Sequence, residues 1–200
     1  MKHYPRSLSN LIWSFAKLPG VGKKTAERLA LHILRAPHHE AEQLAGNIME
    51  LKQRMQLCSR CFALSENNVC TICSDPIRNN GKVCVVENPS DMAAIEKSAA
   101  FDGVYHILQG IFSPMDNVGP EDIRLHELFT RIKNEKITEI IFALNTTIEG
   151  DATATYIINH LKNYDIKLTQ IASGVPVGGD LKYIDPVTLR RAMETRLDTK

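Results

Sequence analysis

Long hydrophobic runs are missing from this sequence of 200 residues. No window approaches the about 18 uninterrupted apolar residues that a membrane-spanning helix needs, and the first residues lack the apolar core of a secretory signal. We see no internal repeat and no low-complexity tract. With 44% hydrophobic and 24% charged residues, the chain can bury a real core, so we expect a globular cytoplasmic protein.

An excess of charge of one sign is also missing, because the formal net charge is only +1. This balance hides an asymmetry along the chain. Residues 1–57 carry nine Lys and Arg against four Asp and Glu, whereas residues 58–200 carry fifteen against nineteen. A basic segment next to an acidic one indicates that an anionic partner is met at the N-terminal part. On charge alone, a merely solvated basic face is the alternative.

The glycine-rich stretch LPGVGKKT, residues 18–25, lacks the features of a nucleotide-binding loop. Such a loop follows a strand and carries a glycine, four further residues and then Gly-Lys-Ser/Thr. Here Lys17 stands five residues before Gly22, Lys24 follows Lys23, and the apolar residues upstream have helical spacing. We therefore predict no Walker A loop and no ATPase activity.

What remains is a helix, a tight turn with Gly20 and Gly22, and a second helix that begins near Lys23. The glycines leave backbone N–H groups bare, and the start of the second helix adds unpaired N–H groups and a positive dipole end, so a phosphate fits there. Lys23 and Lys24 strengthen this potential, and Arg28 and Arg35 can share roughly one face of the second helix as further DNA-binding residues. The stretch resembles the helix-hairpin-helix motif, which grips a nucleic-acid backbone without reading bases. Plain chain reversal is the alternative.

Cysteine is scarce, and four of the five cysteines form two pairs. Cys58-x2-Cys61 and Cys70-x2-Cys73 have the spacing that lets four thiolates surround one Zn²⁺. Disulfides are the poorer interpretation for a chain without an export signal. Because all four ligands are cysteines, no position is left for a catalytic water. We predict one structural zinc that holds a small knuckle rigid between the helical part and the remainder of the chain.

Other residues that can bind metals receive no such role. Cys84 lies inside an apolar run and is predicted to be a small buried residue. His38 and His39 stand together near a helix start, and His106 and His126 each stand alone, so we predict that these histidines are solvated.

Beyond residue 80, apolar runs alternate with amphipathic ones. The predicted strands are 82–87, 103–108, 137–144 and 166–172, and the predicted helices are 92–99, 122–133 and 152–161. Continuous apolar strands of this kind usually lie in a parallel sheet with helices on both faces. A last helix is predicted at 186–197.

Acidic residues follow two of these strands. Glu87 ends the first strand, and Glu149 and Asp151 lie in the loop after the third, so all three should open onto the carboxyl edge of the sheet. The stretches VVENPSD and LNTTIEGDATA resemble the Toprim fold of topoisomerases and primases, in which such acids coordinate Mg²⁺ for phosphoryl transfer. Catalytic members usually carry Asp-x-Asp where this chain has Glu149-x-Asp151, and no nucleophilic tyrosine module is evident. We favour a docking surface for a basic partner protein over metal catalysis, and any bound Mg²⁺ is not expected to be catalytic.

A helix-hairpin-helix, a four-cysteine knuckle and a Toprim-like domain, in this order, resemble the bacterial RecR family over essentially the whole chain. The tail ASGVPVGGDLKYID, residues 172–185, resembles the family's Walker B-like segment; without a Walker A loop, Asp180 and Asp185 are interpreted as structural or interfacial. The resemblance implies a non-enzymatic mediator that forms a tetrameric ring or a dimer. It also implies that the protein binds DNA, RecO and RecF, and helps RecA displace single-strand-binding protein at gapped or damaged DNA.

The sequence thus predicts an α/β protein in four parts, and it leaves two functions open. The parts are a helix-hairpin-helix region (1–56), a four-cysteine zinc knuckle (57–76), a Toprim-like parallel-sheet domain (80–172) and a C-terminal helical segment (173–200). The favoured function is a recombination mediator associated with the nucleoid. The alternative is a Mg²⁺-dependent enzyme that cleaves or transfers DNA strands.

Overall fold

Beyond residue 80, helices and strands follow one another in the order that the hydrophobic periodicity predicts. The computed structural model describes residues 4–196. The elements are α1 (Arg6–Ala16), α2 (Lys23–Arg35), α3 (His38–Arg54), β1 (Gln56–Leu57), β2 (Leu64–Ser65), α4 (Thr71–Ser74), β3 (Lys82–Val86), α5 (Pro89–Ser98), β4 (Val104–Ile107), α6 (Leu125–Asn134), β5 (Glu139–Ala143), α7 (Ile148–Leu161), β6 (Lys167–Gln170) and α8 (Pro186–Glu194). The predicted fold class is confirmed, since N-terminal helices, a cysteine knuckle, a parallel sheet and a C-terminal helix succeed one another.

The chain forms two compact units that divide between Met55 and Gln56. In the first unit, α1 and α2 pack around a small core of Ile12, Ala26 and Ala30, all of which are fully buried. Alanines on α2 allow the two helices to approach each other closely. The side chains of α3 are exposed almost throughout, so this helix contributes little to that core.

The second unit is built on a parallel sheet with the strand order β4-β3-β5-β6. Val83 and Val85 of β3 pack with buried residues of α6 and α7 on one face. Cys84 and Val86 pack on the other face with the knuckle cysteines and α5. Because neighbouring residues of a strand point to opposite faces, a strand covered on both faces must be apolar throughout, which explains the continuous apolar runs.

The cysteine knuckle lies against β4, at one edge of this sheet. The backbone N–H of Ile107 donates to the carbonyl of Cys61 at 2.9 Å, and the side chain of Gln109 donates to the carbonyl of Phe62 at 2.7 Å. The Phe62 ring also packs edge-on against His106, with 5.4 Å between the centroids. An uncovered sheet edge is a template for pairing with another chain. The knuckle therefore protects this edge from pairing with another chain, and the same hydrogen bonds hold the knuckle in place.

The helix predicted to begin at Ala152 begins four residues earlier, so that prediction is wrong. Thr147 caps the helix by accepting a hydrogen bond from the N–H of Gly150 at 3.1 Å. Glu149 and Asp151 therefore lie in the first turn of α7 rather than in a loop. This placement is favourable because the dipole of a helix stabilises negative charge in its first turn.

The prediction that His106 is solvated is also wrong, because its side chain is fully buried in β4. By contrast, Cys84 is buried in β3 as predicted. The other strands and helices beyond residue 80 differ from their predicted ends by up to three residues. Residue 197, the predicted end of the last helix, lies outside the described residues.

Two aspartates of the tail act as helix caps. Asp185 accepts hydrogen bonds from the backbone N–H groups of Val187 and Thr188 at 3.0 Å each, at the start of α8. Asp180 accepts from the N–H of Lys182 at 3.3 Å, at the start of a short 3-10 helix. These bonds agree with the structural interpretation of both aspartates. Across the part of the chain that the structure describes, no helix is both long and apolar enough to cross a membrane.

Candidate nucleic-acid interface and zinc centre

The turn between α1 and α2 bends the backbone as the two glycines predict. The N–H of Val21 donates to the carbonyl of Leu18 at 3.1 Å, and Gly20 within this turn has a φ of +77°. That left-handed conformation favours glycine strongly over other residues. Gly22 follows in an extended conformation and is the N-cap of α2, so the chain enters the helix directly at Lys23.

The N-terminal end of α2 offers hydrogen-bond donors to an external acceptor. Within the described residues, no side chain caps this end and the first turn carries no acidic residue. A helix leaves its first N–H groups without intrahelical partners and concentrates positive potential there. This end of α2 is therefore suited to a bound anion.

The basic side chains of α2 lie at different distances from its N-terminal end. All four predicted basic residues are exposed, namely Lys23, Lys24, Arg28 and Arg35. Among residues 4–196, none of them forms an ion pair with an acidic side chain. The two lysines stand in the first turn of α2, and Arg28 follows one turn later. Arg35 lies in the last turn, about 18 Å from Lys23 along the axis at 1.5 Å per residue. The structure thus brings the lysines and Arg28 to the turn, but not Arg35.

Gly22 is not required by the packing of the chain itself. A Cβ atom built at this position would meet nothing within 4 Å, and the backbone φ of −75° is accessible to any residue. The sequence nevertheless has a glycine at the point where the helix N-terminus opens to solvent. The absence of a side chain leaves room for another molecule to approach the backbone closely.

The four paired cysteines converge as predicted. Among the described residues they form the one group of His, Cys, Asp or Glu side chains compact enough to hold a metal ion, with all four Sγ atoms within 4.8 Å of one another. All four side chains are buried. Tetrahedral Zn–S bonds of about 2.3 Å place sulfur atoms about 3.8 Å apart, so the cluster fits zinc. The cysteines are Cys58, Cys61, Cys70 and Cys73.

Backbone geometry turns the thiols of the knuckle inward. The N–H of Cys70 donates to Sγ of Cys58 at 3.3 Å, and the N–H of Cys73 donates to Sγ of Cys70 at 3.4 Å. The Cys61 side chain makes a hydrogen bond to Cys70 that lowers the pKa of the Cys70 thiol. By contrast, hydrogen bonds among the thiols and burial raise the pKa values of Cys61 and Cys73, so binding of zinc as thiolates has to displace protons from the cluster. A zinc ion held by all four would be closed to water and therefore structural.

Arg60 anchors the knuckle to the sheet domain. Its guanidinium donates to both carboxylate oxygens of Glu135, with two distances of 2.9 Å, and to the carbonyl of Cys73 at 3.0 Å. Arg131 of α6 donates to the same carboxylate at 3.0 Å and to the carbonyl of Tyr105 at 2.7 Å. One carboxylate therefore joins two arginines, one from the knuckle and one from the domain core.

The predicted acidic edge is present, but two of its three carboxylates, those of Glu87 and Asp151, already have partners. Glu87 accepts a hydrogen bond from the side chain of Asn145 at 2.8 Å, which joins the ends of β3 and β5. Asp151 forms an ion pair with Arg191 of α8 at 2.8 Å. Together with Glu149, these residues do not form a cluster compact enough for a metal ion within the described part of the chain.

Two structurally important features were not predicted from the sequence, the Arg60–Glu135–Arg131 network and the buried His106. His106 shares a 2.7 Å hydrogen bond with the carbonyl of Arg124 through Nε2, and burial lowers its pKa to about 4. The position of Arg60 between two zinc ligands is a weak signal for a role in the knuckle. No local pattern identifies its partner, which lies 75 residues away in the sequence.

Comparison with known proteins decides the family. A Toprim domain model matches residues 81–172, and three models specific to RecR match the helix-hairpin-helix (8–52), the four-cysteine zinc finger (55–75) and the C-terminal segment (174–196). The chain is 55% identical to "Recombination protein RecR" of Desulforapulum autotrophicum over 196 residues, which cover 98% of both chains. The chain belongs to the RecR family. The proteins of the same name from Desulfatibacillum aliphaticivorans and Clostridium perfringens are 53% and 47% identical, also with 98% of each chain covered.

Membership in the RecR family confirms the resemblance predicted from the order of the motifs. The zinc-finger model and the cysteine cluster together support the predicted structural zinc. The names of the relatives describe a recombination protein rather than a catalytic activity, in agreement with the prediction that the chain is not an enzyme.

Proposed function

We propose that this RecR-family protein is a non-enzymatic mediator of recombinational DNA repair that holds the DNA backbone without reading its bases. The observation that carries the proposal is the exposed N-terminus of α2, which has no side-chain cap in the described chain and is flanked by two unpaired lysines. Backbone N–H groups and lysines recognise phosphate but carry no sequence information. The names of the relatives support a role in recombination.

The four parts of the chain have separate tasks in this proposal. Residues 1–56 hold DNA, and residues 57–76 form a zinc knuckle that keeps the neighbouring sheet edge rigid. The Toprim-like part, residues 80–172, receives partner proteins. Residues 173–200 contribute to contacts between copies of the chain.

The DNA grip is tested by removing Lys23 and Lys24 together. Each neutralised phosphate contributes about 0.7 to 0.9 to the slope of log K against log salt, so the Lys23→Ala/Lys24→Ala variant should lose about 1.4 to 1.8 from that slope. The double variant should also be retained less well on gapped DNA. The matched control is Lys97→Ala/Lys162→Ala, which removes two exposed lysines from the second unit. Equal losses in both double variants would mean that net charge rather than the hairpin determines binding.

The acidic edge is proposed as a docking surface for RecO and RecF, through which the protein promotes RecA loading on gapped or single-stranded DNA. Glu87 and Glu149 contribute negative charge at one end of the sheet, which suits a basic partner surface, and a basic partner group would compete with Arg191 for Asp151. Any Mg²⁺ bound there is not catalytic in this proposal.

The triple variant Glu87→Gln/Glu149→Gln/Asp151→Asn should weaken RecO binding in calorimetry and leave DNA retention unchanged. Nicking of supercoiled plasmid in Mg²⁺ by the wild type, abolished by Glu87→Gln, would favour an enzyme instead.

We further propose that the protein assembles into a tetrameric ring or a dimer and acts at the nucleoid. Exposed apolar side chains on α3 and in the tail support such assembly, because exposed apolar patches mark contact surfaces. They include Leu44, Ile48, Met49, Leu51, Leu181, Tyr183 and Val187. Light scattering with and without DNA measures the assembly number and the stoichiometry together. A monomer at all concentrations would contradict this part of the proposal.

A further inference from the structure

Trp13 is the single tryptophan of the chain, and its side chain is 62% exposed. It lies in α1 next to Ile12, which is fully buried, and one helical turn before the hairpin. Leu8, Leu11 and Phe15 of the same helix pack toward the core with α2. Core packing therefore does not explain why α1 carries a large aromatic ring on its outer side.

Lys17 holds one face of this indole. Its Nζ lies 3.2 Å from the centroid of the Trp13 ring, which is a close cation–π contact. The residues stand four apart at the end of α1, so the contact forms within one turn of helix. The ammonium group orients the ring, and the exposure of the side chain leaves aromatic surface free for another planar group.

The outer face of α1 is basic around this ring. Four exposed residues form one stripe along this face, namely Arg6, Asn10, Trp13 and Lys17. Their spacing of four, three and four residues keeps them on the same side of the helix. The sequence has no acidic residue before Glu27. The stripe leads along α1 toward the hairpin and complements a negatively charged strand that carries planar groups.

We propose that Trp13 and Lys17 form a stacking site for an unpaired base of single-stranded nucleic acid, next to the hairpin that holds its phosphates. This inference rests on the proposed function, because the hairpin supplies the backbone grip. Aromatic side chains beside a basic groove bind single strands by stacking on bases without sequence preference. A base inside a duplex is already stacked and must first be extruded. The site therefore directs the hairpin toward unpaired segments such as the single strand of a gap.

Because the chain has one tryptophan, its fluorescence reports on this site directly. The wild-type protein is titrated with a short oligothymidine, with an abasic oligonucleotide of the same length and with the matching duplex. A dye on each oligonucleotide reports binding independently through anisotropy. We expect oligothymidine to quench Trp13, whereas the abasic strand and the duplex bind through their phosphates without quenching.

Two substitutions at the same position separate stacking from simple bulk. Trp13→Ala should weaken the affinity for oligothymidine by about 5- to 150-fold, the effect of losing one stacked base, and leave duplex affinity unchanged. Trp13→Phe keeps an aromatic ring and should retain most of the affinity. Since the side chain is largely exposed, neither change should disturb the core, which circular dichroism verifies.

Each outcome decides between the two proposals. Oligothymidine that binds by anisotropy without quenching Trp13, or that binds Trp13→Ala as tightly as the wild type, overturns the stacking site and leaves the phosphate grip intact. A wild-type protein that binds no DNA overturns the proposed function itself. Fluorescence that shifts with protein concentration and ignores DNA assigns Trp13 to a contact between two copies of the chain, which also overturns the stacking site.

Discussion

Arg60 and Glu135 join the zinc knuckle to α6 through two parallel hydrogen bonds, from Nε to Oε1 and from Nη2 to Oε2, each 2.9 Å long. Such bidentate pairs are stronger and more directional than single ion pairs. Burial alone would raise the pKa of Glu135, but the hydrogen bonds from Arg60 and the charge of Arg131 outweigh it and hold that pKa below its usual range. The carboxylate therefore stays charged and fixes the knuckle at physiological pH.

Removing the charge of Glu135 should destabilise the second unit. Glu135→Gln replaces the charged partner that Arg60 and the buried Arg131 share with a neutral amide, and we expect the free energy of unfolding to fall by about 2 kcal/mol. Urea unfolding followed by circular dichroism measures the loss. The control is Asp102→Asn, which breaks the pair with Lys82, where the Asp102 side chain is 70% exposed and a loss below about 1 kcal/mol is expected. Similar losses in both variants would mean that the network adds no more than a surface ion pair.

Loss of one zinc ligand should release the metal and loosen the sheet edge. We expect one zinc per chain in the wild type and much less in Cys58→Ser, because three ligands leave the coordination sphere open. Since the knuckle pairs with β4, hydrogen exchange of the β4 amides should also rise. Cys84→Ala is the matched control, as this fifth cysteine lies in the sheet core and should leave the zinc content at one per chain. Protection of β4 that survives zinc loss would show that the knuckle does not hold the edge.

Local patterns predicted the features that depend on neighbours in the sequence. The spacing of the four cysteines and the turn at Gly20 are examples, since loop geometry alone brings their atoms together. The bond between Arg60 and Glu135 could not be predicted, because the fold brings together residues that are 75 positions apart. His106 was misassigned for a related reason. Its burial depends on α6 and on the knuckle, which the sequence of β4 does not specify.

The buried His106 makes stability depend on pH. Burial lowers its pKa to about 4 from the ordinary 6.5, so between these values the unfolded chain binds a proton that the folded chain does not. The free energy of unfolding therefore falls as the pH decreases through this window, by about 2 kcal/mol between pH 7 and pH 5. Urea unfolding at both pH values measures the change.

The variant His106→Asn removes this titration and serves as the comparison. Its stability at pH 7 should be lower, because the buried site loses its ring, but the further loss at about pH 5 should be smaller than in the wild type. Zinc content is measured in every sample, since acid also protonates the cysteines. An equal loss in both proteins at full zinc occupancy would show that other groups cause the pH dependence.

Substitution by alanine should affect stability at Gly20 and DNA binding at Gly22. Gly20 has a φ of +77°, so Gly20→Ala should destabilise the first unit by about 1 kcal/mol. Gly22 has a φ of −75° and open space around its Cα, so Gly22→Ala should change stability by less than about 0.5 kcal/mol. The new methyl group nevertheless obstructs the approach of a phosphate, and we expect DNA affinity to fall by about tenfold, the equivalent of one charge-assisted hydrogen bond. Anisotropy with labelled DNA and urea unfolding of each variant test both effects. If Gly22→Ala bound DNA as tightly as the wild type, the backbone of this turn could not be in close contact with phosphate.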